Sequence, residues 1–126
     1  MSKILIIDDE ADFAFFLKKS LEAGGEFQVE AFNDARNVVE KVRLFAPDLI
    51  LLDLMMPDIG GFEVCEMLNK DPVTQAIPIV IISALGGYTD IKKAYNLGVI
   101  GYLTKPFDLE QVKQEIHKAL SYKEKE

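Results

Sequence analysis

Leu49-Ile50-Leu51-Leu52 runs straight into Asp53. Four apolar residues with no polar residue alternating are too short for a helix of their own and read as a strand buried on both faces. Working outward, Ile4-Leu5-Ile6-Ile7 and Ile79-Val80-Ile81-Ile82 have the same character, and Ile100 to Thr104 makes a further strand. Phe27, Val29 and Ala31 alternate with polar residues, the pattern of a half-buried strand.

Longer segments with helical spacing separate these runs. Phe13, Phe16, Leu17 and Leu21 make an apolar stripe, and Gly24-Gly25 ends it. Asn33 or Asp34 is placed to cap a second helix carrying Val38, Val39, Val42 and Phe45, which Pro47 stops. A short third helix runs through Phe62, Cys65 and Leu68 to the Asp71-Pro72 turn. Thr89 is placed to cap a fourth, with Ile91, Ala94 and Tyr95, closed by Gly98. Asp108 with Gln111 three residues on opens the last helix, whose core face is Leu109, Val112, Ile116 and Leu120. The order is βα five times. Strands apolar on both faces and joined by helices predict an α/β three-layer sandwich around a parallel sheet.

The 126 residues suit one domain, large enough to bury a core without disulfide or metal staples. The net charge of −7 argues against direct binding to nucleic acid or to an anionic membrane surface. Cys65 is the only cysteine, so it makes no intrachain disulfide and reads as a buried apolar residue in a reducing compartment. No stretch reaches the ~20 apolar residues of a membrane helix, and the expected location is cytoplasmic. The sequence has one histidine, His117, expected on the polar side of the last helix. The charged end at 123–126 reads as a tail or the start of a linker after a domain spanning 1–122.

A parallel sheet binds ligands outside the carboxyl ends of its strands. Strand one ends in Asp8-Asp9-Glu10, strand three in Asp53, strand four in Ser83-Ala84 and strand five in Thr104-Lys105-Pro106. Gathered on one edge, these bring together carboxylates, a hydroxyl and a lysine. Clustered carboxylates call for a hard cation, and Mg²⁺ needs only one or two of them beside a substrate phosphate. A carboxylate also attacks phosphorus to give an aspartyl phosphate. The transferring group then requires cationic clamps and hydrogen-bond donors, which Lys105, the Ser83 hydroxyl and the backbone N–H of Ala84 can supply. Asp53, alone at the end of a central strand, is the expected acceptor. Asp9 is expected as a direct metal ligand, with Asp8 assisting through water. Taken alone, acidic residues at a strand-to-helix junction also suit the helix dipole, so the joint occurrence at four strand ends carries the argument.

These motifs, with Asp48-Leu49-Ile50-Leu51-Leu52-Asp53-Leu54-Met55-Met56-Pro57 and Gly101-Tyr102-Leu103-Thr104-Lys105-Pro106-Phe107 chief among them, resemble the receiver domain of bacterial two-component response regulators, chemotaxis receivers included. The resemblance spans nearly the whole chain. It implies a flavodoxin-like fold with strand order 2-1-3-4-5 and a signalling domain that catalyses its own phosphorylation and dephosphorylation. By the resemblance, Asp53 takes a phosphoryl group from a sensor histidine kinase or a histidine phosphotransfer protein. Asp9, Asp53 and the Met55 backbone carbonyl hold Mg²⁺, or Mn²⁺, with Asp8 nearby. Lys105 meets the phosphoryl oxygens, Lys105-Pro106 is a cis peptide, and Ser83 with Tyr102 forms a switch. The switch acts on the surface around the fourth helix, fifth strand and fifth helix, and so on a downstream partner or an output domain.

The chain departs from the family pattern at Val99-Ile100-Gly101 and at Gly60, which leaves any particular partner open. Met55 and Leu85, each two residues past Asp53 and Ser83, are apolar and cannot orient a water, so slow self-dephosphorylation is expected. Three other readings remain. A haloacid-dehalogenase-type phosphatase also uses an Asp nucleophile, but has Asp-x-Asp where this chain has Asp8-Asp9-Glu10. A flavodoxin-like cofactor binder would meet three acidic residues where its phosphate should sit. A receiver kept only as a docking module would not need the acidic site.

Overall fold

The structure is a computed structural model and describes residues 1–124. The elements follow in the order β1 (Ser2–Ile7), α1 (Ala11–Glu22), β2 (Phe27–Phe32), α2 (Val38–Phe45), β3 (Leu49–Leu52), α3 (Gly61–Lys70), β4 (Ile79–Ser83), α4 (Tyr88–Asn96), β5 (Gly101–Thr104) and α5 (Leu109–Glu124). Every strand pairing is parallel, and the sheet order is β2-β1-β3-β4-β5. This is the flavodoxin-like architecture and strand order that the resemblance implied.

Alternation along the buried strands divides the core. Ile4, Ile6, Leu49, Leu51, Val80 and Ile82 point to one face, where Ala14, Leu17 and Leu21 of α1 and Val112, Ile116 and Ala119 of α5 cover them. Leu5, Ile7, Ile50, Leu52, Ile79 and Ile81 point to the other, against Val38 and Val42 of α2, Val64, Cys65 and Leu68 of α3, and Ala94 of α4. Period-two strands therefore feed two apolar layers at once. Cys65 is fully buried as expected, and its apolar surroundings push the thiol up to about 12, which keeps it protonated and inert.

Helix ends differ from the sequence reading in two places. Asn33 and Asp34 do not cap α2, whose N-cap is Asn37 in a left-handed conformation. Asn33 donates to the Asp8 carbonyl instead, and Asp34 pairs with Arg36. Thr89 lies inside α4, which starts one residue earlier behind Gly87. The last helix opens as expected: the Asp108 carboxylate accepts from Gln111 N at 2.8 Å, and Gln111 Oε1 accepts from Asp108 N at 2.9 Å. Phe16, Tyr95 and Leu109, expected on core faces, are exposed. In α1 the buried position next to Phe13 is Ala14, and in α5 Ala119 fills the place beside Ile116. His117 is exposed as expected and meets Glu26.

The charged end continues α5 as far as Glu124, and residues 125–126 lie outside the described residues. Among the described residues, no helix is long and apolar enough to cross a membrane.

Candidate functional site

The sheet order reverses direction between β1 and β3, and a crevice opens at such a point beyond the strands' carboxyl ends. Ile7 pairs with Leu52 across that junction, and Asp53 N donates to the Ile7 carbonyl at 2.9 Å. Asp8 N donates to Phe32 O at 3.0 Å. The ladder thus carries one residue past each strand and fixes both aspartate backbones. On the far side, Ser83 pairs with Thr104, and Lys105 N donates to the Ser83 carbonyl at 2.7 Å. Four strand ends are thereby locked together, as the sequence predicts. The Lys105–Pro106 peptide is cis.

The loop after Asp53 is held from beneath by α3. Gly61 N donates to Leu54 O at 3.0 Å. A Cβ at Gly61 would lie 2.4 Å from the Asp53 carbonyl oxygen and 2.6 Å from Leu54 Cα, both backbone atoms, so only glycine fits this approach.

Asp8 is fully buried, and both its carboxylate oxygens are engaged. Oδ1 accepts from Glu10 N at 2.9 Å and Oδ2 from Lys105 Nζ at 2.8 Å. Lys105 Nζ also donates to Glu10 Oε1 at 2.8 Å and sits 4.2 Å from the centroid of the Phe13 ring. Its distance to Asp53 Oδ2 is 4.0 Å, too long for a hydrogen bond. Asp53 Oδ1 accepts from Met55 N at 3.2 Å.

This geometry sets the charges. Burial pushes the Asp53 carboxyl up, the neighbouring Asp8 charge pushes it further, and the Met55 N–H and Lys105 offset only part, leaving it at about 6. Burial works against the Lys105 ammonium, yet Asp8 and Glu10 outweigh it and hold its pKa above the ordinary value.

Oxygens of Asp8, Glu10 and Asp53 all lie within 4.8 Å of one another. An all-oxygen, anionic donor set of this kind suits a hard divalent cation, and the raised Asp53 carboxyl is the electrostatic strain that a cation would relieve. Asp9, expected as a direct ligand, is half-buried and lies outside this tight group, although its charge adds to the push on Asp53. Glu10 takes a place that the sequence reading gave it no specific role in. The only signal for it was its position as the third acid in Asp8-Asp9-Glu10.

Ser83 is buried, and its Oγ accepts from Leu85 N at 3.2 Å, while Ala84 beside it is exposed. Tyr102 is half-buried with its hydroxyl donating to the Leu85 carbonyl, so β5 is tied to the loop after Ser83. Met55 is 55% exposed at the rim.

Residues 4–117 match the family described as the response regulator receiver domain. The chain is 39% identical over 112 residues to the DNA-binding dual master transcriptional regulator RpaA of Synechocystis, covering 89% of this chain and 46% of that protein. It is 35% identical over 121 residues to protein PilH of Pseudomonas aeruginosa, covering 96% and 99% of the two chains. A two-component response regulator from Clostridium difficile superposes with a TM-score of 0.87 at 30% identity, over 96% of this chain and 97% of that one. The chain spans about half the length of the first curated relatives it matches, ArlR of Staphylococcus saprophyticus among them, and almost all of PilH. A parallel 2-1-3-4-5 sheet with two buried aspartates and a lysine at its switch point, together with a family match over nearly its full length, places this chain in the response regulator receiver domain family.

Proposed function

We propose that the chain is a Mg²⁺-dependent phosphoacceptor of a two-component system or phosphorelay, with Asp53 as the acceptor. The observation that carries this is the placing of Asp53: its carboxyl is buried at the switch point, pushed up by that burial and by Asp8, with the Lys105 ammonium 4.0 Å away. In the transfer, an Asp53 oxygen forms the new bond to phosphorus as the bond from phosphorus to the donor breaks. The electron pair of the broken bond leaves with the donor, which is a histidine of a sensor kinase or phosphotransfer protein.

Asp8, Asp9, Asp53 and the Met55 backbone carbonyl would hold the ion, although Asp9 lies outside the tight group of Asp8, Glu10 and Asp53, and Mn²⁺ would satisfy the same oxygen donors. When bound, such an ion would neutralise charge at the equatorial phosphoryl oxygens. Lys105 clamps one such oxygen, and the Ser83 hydroxyl and Ala84 N–H bind others. Moving Ser83 toward the phosphoryl group disturbs the loop that Tyr102 grips through Leu85, and so reports the event on α4, β5 and α5. Met55 and Leu85 offer no group to orient a water, which makes the phosphoryl group long-lived on its own.

The extent we assign to this domain is residues 1–122, with α5 running on to Glu124. Its readout is a protein partner or an output domain, with no direct nucleic-acid or membrane contact, in the cytoplasm. It is a signalling domain without turnover of an outside substrate.

The test is intact mass after incubation with Mg²⁺ and acetyl phosphate. A single phosphoryl adduct is expected on the wild type, and none on Asp53→Asn or with the metal chelated. An adduct that persists on Asp53→Asn would move the acceptor elsewhere, and a half-life of seconds would overturn the slow release.

A further inference from the structure

Glu10 occupies the N-cap position of α1, yet its carboxylate makes no cap hydrogen bond to that helix. It is 62% exposed by side chain and reaches back over the sheet edge to Lys105 Nζ at 2.8 Å. An ammonium has three protons to donate. In this structure one goes to Asp8 and one to Glu10, and Nζ stays 4.0 Å from Asp53. The same nitrogen must meet an oxygen of the group arriving on Asp53 if the phosphoacceptor reading holds.

Resting on that reading, we infer that Glu10 is a positioning residue that parks Lys105 away from Asp53 and releases it when the phosphoryl group arrives. The asymmetry of the two partners decides which contact yields. Asp8 is fully buried and sits on the sheet ladder, so its pairing with Lys105 is the firm one. Glu10 is mostly in water, where an ion pair is weak and its carboxylate is solvated again at little cost. The Lys105–Glu10 contact is therefore the one that exchanges. It slows capture of the phosphoryl group in proportion to the time the lysine spends parked.

The test uses the full chain as Glu10→Gln and Glu10→Asp. Glutamine keeps an acceptor oxygen and loses the charge. Aspartate keeps the charge one methylene short of Lys105. With Mg²⁺ and saturating acetyl phosphate, adduct formation on both variants is expected to be about two- to five-fold faster than wild type, the factor an exposed ion pair accounts for. In the transfer the acetyl phosphate P–O bond breaks, acetate leaves with its electron pair, and Asp53 gains the phosphoryl group. A second readout needs no phosphorylation. The Lys105 side-chain ¹³Cε signal of the metal-free protein is expected to move in both variants. In the beryllofluoride complex it should coincide in all three proteins, because the lysine has left Glu10. Unchanged or slower rates, Glu10→Asp behaving as wild type, or a Lys105 signal indifferent to either variant would each overturn the inference. A wild type that takes no phosphoryl group would instead sink the parent reading, and the metal-free lysine signal would still decide whether Glu10 holds Lys105.

Discussion

Asp53 and Asp71 are both aspartates with little solvent exposure, and their carboxyls are driven in opposite directions. Asp71, after α3, takes the Arg43 guanidinium on its oxygens and accepts backbone N–H groups from Val73 at 3.1 Å and Thr74 at 3.0 Å. Those contacts, Arg43 first, hold its carboxyl down at about 2. Asp53 faces another carboxylate, receives one N–H from Met55, and has its nearest cation turned toward Asp8 and Glu10. It stands at about 6. Burial pushes both carboxyls up; it prevails at Asp53, where donors are few, and is overridden at Asp71, where Arg43 and two backbone N–H groups meet the charge. Asp71 is satisfied and structural. Asp53 is held in want of positive charge, as suits a group that is to receive a cation and a phosphoryl group.

The largest expected effect is the loss of chemistry. Asp53→Asn is expected to abolish the phosphoryl adduct, whereas Asp71→Asn leaves adduct formation within about two-fold of wild type, as fits a site outside the transfer machinery. Intact mass against time measures both, and a comparable loss in the two variants would erase the distinction.

The same pair should separate in stability. The folded-state carboxyl of Asp53 lies above its ordinary value of 3.8, so folding disfavours its ionised form. Below about pH 4 both states carry the proton and there is no penalty. Between pH 4 and 6 the unfolded chain ionises first, and stability falls as pH rises. In chelator at pH 7, Asp53→Asn is expected to stabilise the fold by about 2–3 kcal/mol, with the gain fading toward pH 4. Denaturant titrations at the two pH values check this, and a gain that does not change with pH would refute the cause.

The backbone under Asp53 is next. Gly61→Ala places a Cβ against the Asp53 carbonyl, an overpacking expected to cost about 1–3 kcal/mol and to slow adduct formation as the acceptor shifts. Gly60→Ala, whose Cβ would lie 3.5 Å from Leu54 O in ordinary contact, is expected to do neither. Thermal unfolding of the two variants is the comparison.

The smallest effect is at Asp71 itself. Its carboxyl is depressed, so the stability it contributes is present above about pH 4 and disappears as pH falls through about 2. Asp71→Asn is expected to be destabilised at pH 7 by an amount that shrinks along the acid limb. An acid titration of both proteins followed by circular dichroism measures it.

Much of the molecule was legible from local patterns. The apolar runs Ile4–Ile7, Leu49–Leu52 and Ile79–Ile82 became buried strands because a strand covered on both faces admits nothing else. Asp108 and Gln111 formed the reciprocal cap because both partners lie within one helical turn. Asp53 was identifiable because it directly follows such a strand. Less legible were the starts of α2 and α4. Asn33 and Asp34 have short polar side chains that suit a cap, but Asp8 and Arg36 engaged them first. Phe16 belonged to a helical stripe by spacing, yet the sheet and α5 cover only the strip through Ala14, Leu17 and Leu21.

The sequence by itself determined the alternation of strands and helices, the two-sided burial of the central strands, and the gathering of acids, serine and lysine at one sheet edge. These follow from periodicity and from chain order, which local chemistry controls. Only the tertiary structure decided where each acid points once its strand has ended. Past Ile7 the period-two rule lapses, and the turn made by Glu10 N on Asp8 Oδ1 sets the directions of the side chains. It brings Glu10 rather than Asp9 to Lys105, a residue 95 positions away that only the folded sheet carries there.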